Sequence, residues 1–226
     1  MAKNKLKKFA QMEAFSNVKQ PSLTLLKKGF PLKGKWNKDF FKNDAPIVLE
    51  LGCGMGEYTV GLAEKYPNKN FIGIDIKGAR MWQGASKALE KQLNNVGFLR
   101  IRIEWIEECF SSNEVSEVWI TFPDPQIKKR RSTKRLTHPL FLKKYSNILV
   151  NDGVLHLKTD SEFLYGFTLG VISADSHHLV DATNDLYSSL QKRDHMEIKT
   201  HYEQKFLDIG KPITYIKFKL NDAKNC

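Results

Sequence analysis

Short apolar runs alternate with stretches of helical spacing along most of the chain. Ile47, Val48, Leu49 and Leu51 make the first run, too short for a stable helix and apolar on both sides of the pleat, as a strand covered on two faces requires. Similar runs at residues 71–74, 96–103, 117–122 and 154–159 predict four more strands. Between them apolar residues recur at three- and four-residue steps, predicting helices from Glu57 to Tyr66 and over residues 77–94, 138–149 and, after a capping Ser161, through Leu169. The last part predicts a strand at 178–181, a short helix at 200–207 and a final strand at 213–220. Strands alternating with helices predict an α/β fold with a seven-stranded, mostly parallel sheet and helices on both faces.

The segment before the first strand has another character. Residues 1–20 carry few apolar positions and read as a mobile basic arm, while residues 21–43 interleave lysines with Phe30, Trp36, Phe40 and Phe41 and read as partly ordered on the domain that starts at residue 44. Those aromatics suit either base stacking or, more commonly, burial as anchors. The net charge of +11 is concentrated: residues 1–43 hold +9, residues 128–135 (KKRRSTKR) hold +6, and the remainder is −4. Two basic clusters on an otherwise acidic body are the footprint of a polyanion, most plausibly nucleic acid. No apolar run approaches a membrane span, no secretory pattern follows the N-terminal lysines, and Cys53, Cys109 and Cys226 are odd in number and far apart. A cytoplasmic protein without disulfide, metal or membrane partner is expected, as monomer or homodimer.

The first strand runs directly into Gly52, Gly54 and Gly56, which permit positive φ and close approach to bare backbone. The second predicted strand ends on Asp75, placed to accept the ribose hydroxyls of a nucleoside cofactor. A dinucleotide fingerprint would need glycine where Glu57 stands. The pattern E-x-G-x-G-x-G, with Glu50 inside the strand, instead resembles motif I of class I S-adenosylmethionine (AdoMet) methyltransferases. In an open α/β sheet ligands bind beyond the carboxyl ends of the strands. That edge gathers Arg102 and Glu104 after the third strand, Asp124 after the fourth and Asp160 after the fifth.

Three later blocks sharpen the resemblance. The fourth-strand exit TFPDPQIKKRRSTKRL, the block HLKTD at 156–160 and the block THYEQKF at 200–206 resemble, in order, the bacterial tRNA (guanine-N7-)-methyltransferase family over residues 20–220. The resemblance implies a Rossmann-like class I methyltransferase fold, AdoMet as cofactor and tRNA as substrate, with methylation at N7 of a variable-loop guanosine. It implies AdoMet contacts at Glu50, Gly52, Gly54, Gly56, Asp75 and Asp124, with Arg102 and Glu104 at the adenine. It implies substrate contacts at Lys128, Asp160, Thr200, His201, Tyr202 and Glu203. Gln126 stands where the family usually has tryptophan, and Arg102 where it often has Asp or Asn.

Lys129, Arg130, Arg131, Lys134 and Arg135 are expected to join Lys128 on tRNA phosphates, which position a substrate without reading its sequence. Guanine N7 has a lone pair and no proton, so no general base is required; Asp124 is the expected catalytic group, favouring positive charge on the purine. Each acidic candidate also has a structural reading: Asp124 as a loop cap, Asp160 as a helix cap, Thr200 with Glu203 as a capping box. The competing functions are a methyltransferase for another RNA or a small molecule, and a non-catalytic RNA-binding module. A nicotinamide enzyme is disfavoured by Glu57.

Overall fold

The computed structural model describes residues 2–189 and 193–221; Cys226 lies outside them. One eight-stranded sheet runs through the molecule: β1 Val18–Lys19, β2 Ile47–Leu51, β3 Asn70–Ile74, β4 Val96–Leu99, β5 Val115–Thr121, β6 Leu149–Thr159, β7 His178–Thr183 and β8 Thr214–Lys219. Their spatial order is β1-β4-β3-β2-β5-β6-β8-β7, parallel from β1 to β6, with β8 antiparallel to both of its neighbours. The seven expected strands are present and β1 adds an eighth. Two residues carry no periodicity, so β1 had no signal in the sequence.

The helices are α1 Ala2–Ala14, α2 Leu23–Lys28, α3 Glu57–Lys65, α4 Gly78–Glu90, α5 Pro139–Ile148, α6 Glu162–Ala174 and α7 His201–Asp208. Two layers of core form, one on each face of the sheet: Leu49, Leu51, Ile72 and Ile120 face one, and Val48, Tyr58, Phe71, Phe98 and Trp119 the other. None of these is more than 3% exposed, consistent with parallel strands covered on both sides. Among the described residues no helix is long and apolar enough to cross a membrane.

Residues 1–20, expected as a mobile arm, contribute α1 and β1. Helix α1 lies on α4, Met12 is buried, and Asn17 donates from Nδ2 to the Ala85 carbonyl at 3.0 Å. The Lys8 ammonium sits 4.5 Å over the Trp82 ring, and the Arg100 guanidinium 4.7 Å over Phe9. In the next segment Trp36 is fully buried, stacks on Phe110 at 5.5 Å and donates its indole N–H to the Cys109 carbonyl. Trp36 and Phe41 are therefore anchors of the fold rather than base-stacking surfaces.

The third expected strand ends early, at Leu99. Arg102 precedes a 3-10 turn, Ile103–Glu108, so Arg102 and Glu104 reach the ligand edge from a turn rather than a strand. The T-x-x-E pattern before α7 forms the expected capping box, with Thr200 Oγ1 accepting from the Glu203 N–H and a Glu203 carboxylate oxygen accepting from the Thr200 N–H.

Candidate active site

The glycine turn follows β2 and is pinned to β3. The N–H groups of Gly52 and Cys53 both donate to the Ile74 carbonyl, at 2.8 and 3.1 Å. Gly52, Gly54 and Gly56 have φ of 77°, 55° and 72°, a region that a side chain disfavours. Gly56 has a second reason to be glycine. A Cβ there would fall 2.7 Å from the Phe98 ring and 3.2 Å from the Gly84 Cα, while one on Gly84 would meet the Met55 carbonyl at 2.6 Å. The turn thus lies directly on α4 through paired glycines, of which sequence reasoning singled out only Gly56.

Asp75, at the tip of β3, closes the cradle. One carboxylate oxygen accepts from the Gly54 N–H at 2.9 Å and the other from the Lys77 N–H at 2.8 Å. Glu50 lies inside β2, as expected, beneath the turn. Its side chain is buried, accepting from the Thr59 N–H at 2.8 Å, the Thr59 hydroxyl, and the Thr121 hydroxyl at 2.6 Å. It braces β2 against α3 and β5. Burial pushes its carboxyl up to about 7, against the lowering effect of those donors.

The fourth-strand exit is strained. Phe122 and Gln126 have φ of 46° and 47°, and they flank Pro123-Asp124-Pro125. For non-glycine residues such conformations cost on the order of 1–3 kcal/mol each and persist only when neighbours hold them. The holding contacts are the Phe122 N–H on the Lys158 carbonyl at 2.8 Å and the Arg135 guanidinium donating to the Gln126 carbonyl at 3.2 and 3.3 Å. Asp124 is exposed and accepts from the Gln126 N–H at 3.0 Å through one oxygen. It is both a loop cap and a carboxylate presented outward.

Lys129–Lys134 forms a 3-10 turn with no buried residue, and Lys128 to Arg131 are exposed. Arg135 is the exception among the expected phosphate ligands. It is only 6% exposed, its guanidinium 4.8 Å from the Phe163 ring centroid and 4.4 Å from that of Phe167, so it anchors the loop instead of projecting from it. Glu104 accepts from Arg102 at 3.1 Å and Lys134 at 3.2 Å. Although burial works in the opposite direction, these cations and its backbone hydrogen bond hold its carboxyl below the usual range. Its carboxylate is committed to basic partners, joining the 3-10 turn after β4 to the basic turn.

At the β6 exit Asp160 pairs with Lys211 at 2.6 Å, and Ser161 rather than Asp160 caps α6 by accepting from the Leu164 N–H. The Lys211 ammonium also sits over Phe206 at 5.1 Å, and Phe206 stacks on Phe122 at 6.1 Å. That chain of contacts ties α7 to both strand exits. His201 donates its N–H to Glu57 at 2.9 Å, and Tyr202 is 44% exposed. Glu203, expected at the substrate, turns inward. It is fully buried in an ion pair of 2.7 Å with the equally buried Lys158, and accepts from the Tyr187 hydroxyl at 2.6 Å. Burial pulls the Lys158 ammonium below its ordinary value, and Glu203 opposes that pull. A carboxylate so enclosed supports α7 and leaves Thr200, His201 and Tyr202 nearer the surface.

His156 packs as expected of a structural histidine, stacked 3.9 Å from Trp119 and sharing a 2.8 Å hydrogen bond with the Tyr215 hydroxyl. Among the described residues no group of three His, Cys, Asp or Glu side chains could hold a metal ion.

Comparison with known proteins agrees with this geometry. A family model described as "Putative methyltransferase" matches residues 44–216. A tRNA (guanine-N(7)-)-methyltransferase from Christiangramia forsetii is 57% identical over 97% of this chain and 99% of its own, and one from Bacteroides fragilis 52% identical over 97% and 87%. Among solved structures, the 16S rRNA methyltransferase KamB superposes with a TM-score of 0.63 at 14% identity, covering 81% of this chain and 92% of that one. A 30S ribosomal A1408 methyltransferase from an uncultured bacterium gives 0.58 at 20% identity over 80% and 90%. These two likenesses show the Rossmann-like class I fold alone. The relatives show more: by identity across almost its whole length, the chain belongs to the tRNA (guanine-N(7)-)-methyltransferase family.

Proposed function

We propose that the protein transfers the methyl group of AdoMet to N7 of a guanosine in the variable loop of tRNA. What carries the reading, for a chain of this family, is one sheet edge that holds the glycine cradle, the outward Asp124 on its strained loop and the exposed basic turn.

The cradle suits the cofactor. A Cβ on Gly52 would meet nothing within 4 Å, so the turn leaves open space over bare backbone. Gly52, Gly54 and Gly56 shape that space, Asp75 takes the ribose hydroxyls at its rim, and Arg102 to Glu104 border the adenine. With Glu104 held by Arg102 and Lys134, the adenine is met by backbone and by Arg102. When bound, AdoMet supplies an electrophilic methyl on a sulfonium. Glu50 acts through Thr59 and Thr121, fixing the strand beneath the turn.

Guanine N7 attacks with its own lone pair, so the task of the residues is to orient the purine. Such positioning supplies up to about 7–11 kcal/mol in well-aligned systems. Asp124 uses one oxygen on its own loop, which leaves the other for the guanine and for the positive charge that grows on the ring. Asp160, with Thr200, His201 and Tyr202, borders the same edge. Lys128 to Arg131 and Lys134 take the phosphates, so binding weakens steeply with salt. A tRNA substrate is what supports a cytoplasmic location.

The test is methyl transfer from radiolabelled AdoMet to unmodified tRNA transcripts, with and without the variable-loop guanosine. Label appears as 7-methylguanosine in the intact transcript alone, and Asp124→Ala abolishes it. Transfer to another RNA only, or near-normal turnover by Asp124→Ala, overturns the substrate or the catalytic assignment respectively.

A further inference from the structure

The loop leaving β5 and the first two turns of α6 border a shallow, open hollow of about 570 Å3, apart from the glycine cradle. Its apolar wall is Ile127, Phe163 and Phe167. Ile127 is 67% exposed and Phe163 45%, although both face the same hollow. Scattered exposed apolar residues are ordinary; what sets these two apart is that both line one hollow whose other walls carry Arg135 and Lys129. Gly166, in the second turn of α6, is the glycine on this lining. Glycine is unfavourable inside a helix, and here packing does not demand it, since a Cβ would meet nothing within 4 Å. What its bareness does is keep the hollow open.

The floor is fixed. The Arg135 guanidinium lies against Phe163 and Phe167 and is locked to the Gln126 carbonyl. Arg135, 6% exposed, holds these rings from beneath, and the half-exposed Phe163 ring is the kind of planar surface on which nucleobases stack. The rim carries Lys129, and the turn around it has six basic residues and no acid, with Glu162 the one acidic group on the lining. An apolar slot beneath a cationic rim matches a nucleotide, base inward and phosphate outward. A second copy of this chain fits poorly, because a two-fold contact at this surface would bring two basic turns together.

We propose that this hollow is a stacking shelf for an unpaired base of the RNA substrate, a nucleotide close to the one methylated. The inference rests on the proposed RNA-directed activity and deepens it. The shelf adjoins the candidate active site on both sides: Gln126, whose carbonyl Arg135 holds, follows Asp124 by two residues, and α6 begins two residues after Asp160. A base drawn onto the shelf pulls the strand out of its own stack and helps to deliver the neighbouring guanosine, a cost that RNA-modifying enzymes must meet.

The experiment measures tRNA-transcript binding by the full chain across a salt series, with AdoMet affinity and melting temperature as controls. Gly166→Leu fills the shelf and Ile127→Ala removes one wall; neither touches the cradle. Each is expected to raise the tRNA Kd by roughly 5- to 150-fold, the range for one lost base stack. The slope of log Kd against log salt stays unchanged, because no phosphate contact is lost, whereas Lys129→Ala lowers that slope by about one. Unchanged tRNA affinity in both variants overturns the shelf while leaving the proposed function standing. A shift in sedimentation from dimer to monomer, without loss of tRNA affinity, assigns the hollow to a second copy and also overturns it. If the wild-type chain binds no tRNA at all, the proposed function falls and the shelf with it.

Discussion

The Lys158–Glu203 pair allows a quantitative test of how α7 is held over the ligand edge. Both side chains are fully buried and 2.7 Å apart, and Glu203 also receives the Tyr187 hydroxyl. Glu203→Gln keeps shape and removes charge, leaving the Lys158 ammonium in the interior with only the Ile198 carbonyl at 3.4 Å and the Tyr58 ring at 4.9 Å as neutral compensation. Breaking such a pair by one partner costs about 3–5 kcal/mol. An independent bound agrees: the lysine escapes by losing its proton, and taking an ordinary pKa of about 10.4 down to 7 costs about 4.6 kcal/mol. For a chain of this size each kcal/mol is worth about 2–4 °C, so the variant melts roughly 6–20 °C below wild type. The sign with pH is diagnostic. Lys158, already lowered by burial, falls further once Glu203 is neutral. A lysine whose folded pKa is depressed gives stability that is full above its unfolded value and lost as pH falls through the folded one. The gap between variant and wild type therefore narrows as pH rises from 7 towards 10. Lys158→Met combined with Glu203→Leu recovers most of the stability, because replacing both charges removes the desolvation cost as well as the attraction. Urea unfolding at several pH values, with the slope m compared between variants, reads all of this. A Glu203→Gln deficit below about 1 kcal/mol, or one that does not shrink with rising pH, would refute the buried-charge argument.

Three further outcomes follow from the same geometry. Gly84→Ala pushes a methyl against the Met55 carbonyl and displaces the glycine turn; AdoMet affinity by calorimetry should fall at least tenfold, and an unaltered Kd would mean that the cradle tolerates the shift. Glu50, raised to about 7 by burial, favours the folded state fully below the unfolded carboxylate range, and that contribution is lost as pH rises through 7. Between pH 5 and 8 wild type should lose up to about 3 kcal/mol relative to Glu50→Gln, and parallel stability profiles for the two would contradict the shift. Arg135→Ala should lower the melting temperature and leave the salt slope of tRNA binding intact, whereas Arg131→Ala should do the reverse. The opposite pattern would restore Arg135 to the phosphate contacts.

What the sequence made legible was the periodic part of the molecule and the residues whose backbone demands are special. The run Ile47–Leu51 ahead of alternating glycines placed the cradle, and T-x-x-E placed the start of α7. Less legible was which way a charged residue points, since carboxylates and ammonium groups default to the surface. Yet the sheet itself supplied a signal. Central parallel strands are buried on both faces, so a charge that interrupts one must be paired. Glu50 interrupts β2 and is held by Thr59 and Thr121; His156 and Lys158 interrupt β6 and find Tyr215 and Glu203. The need for a partner was readable from each strand, but its identity was not, because most partners come from other elements whose approach only tertiary packing decides. The same limit applied to Arg135, which ends a basic run in sequence but lies against two α6 rings in space. The strain at Phe122 and Gln126 was hidden for a further reason: neither is a residue that favours positive φ, so only the contacts that hold the loop reveal it. Those contacts come from the Lys158 backbone carbonyl and the Arg135 guanidinium, and together they fix the loop on which Asp124 is presented.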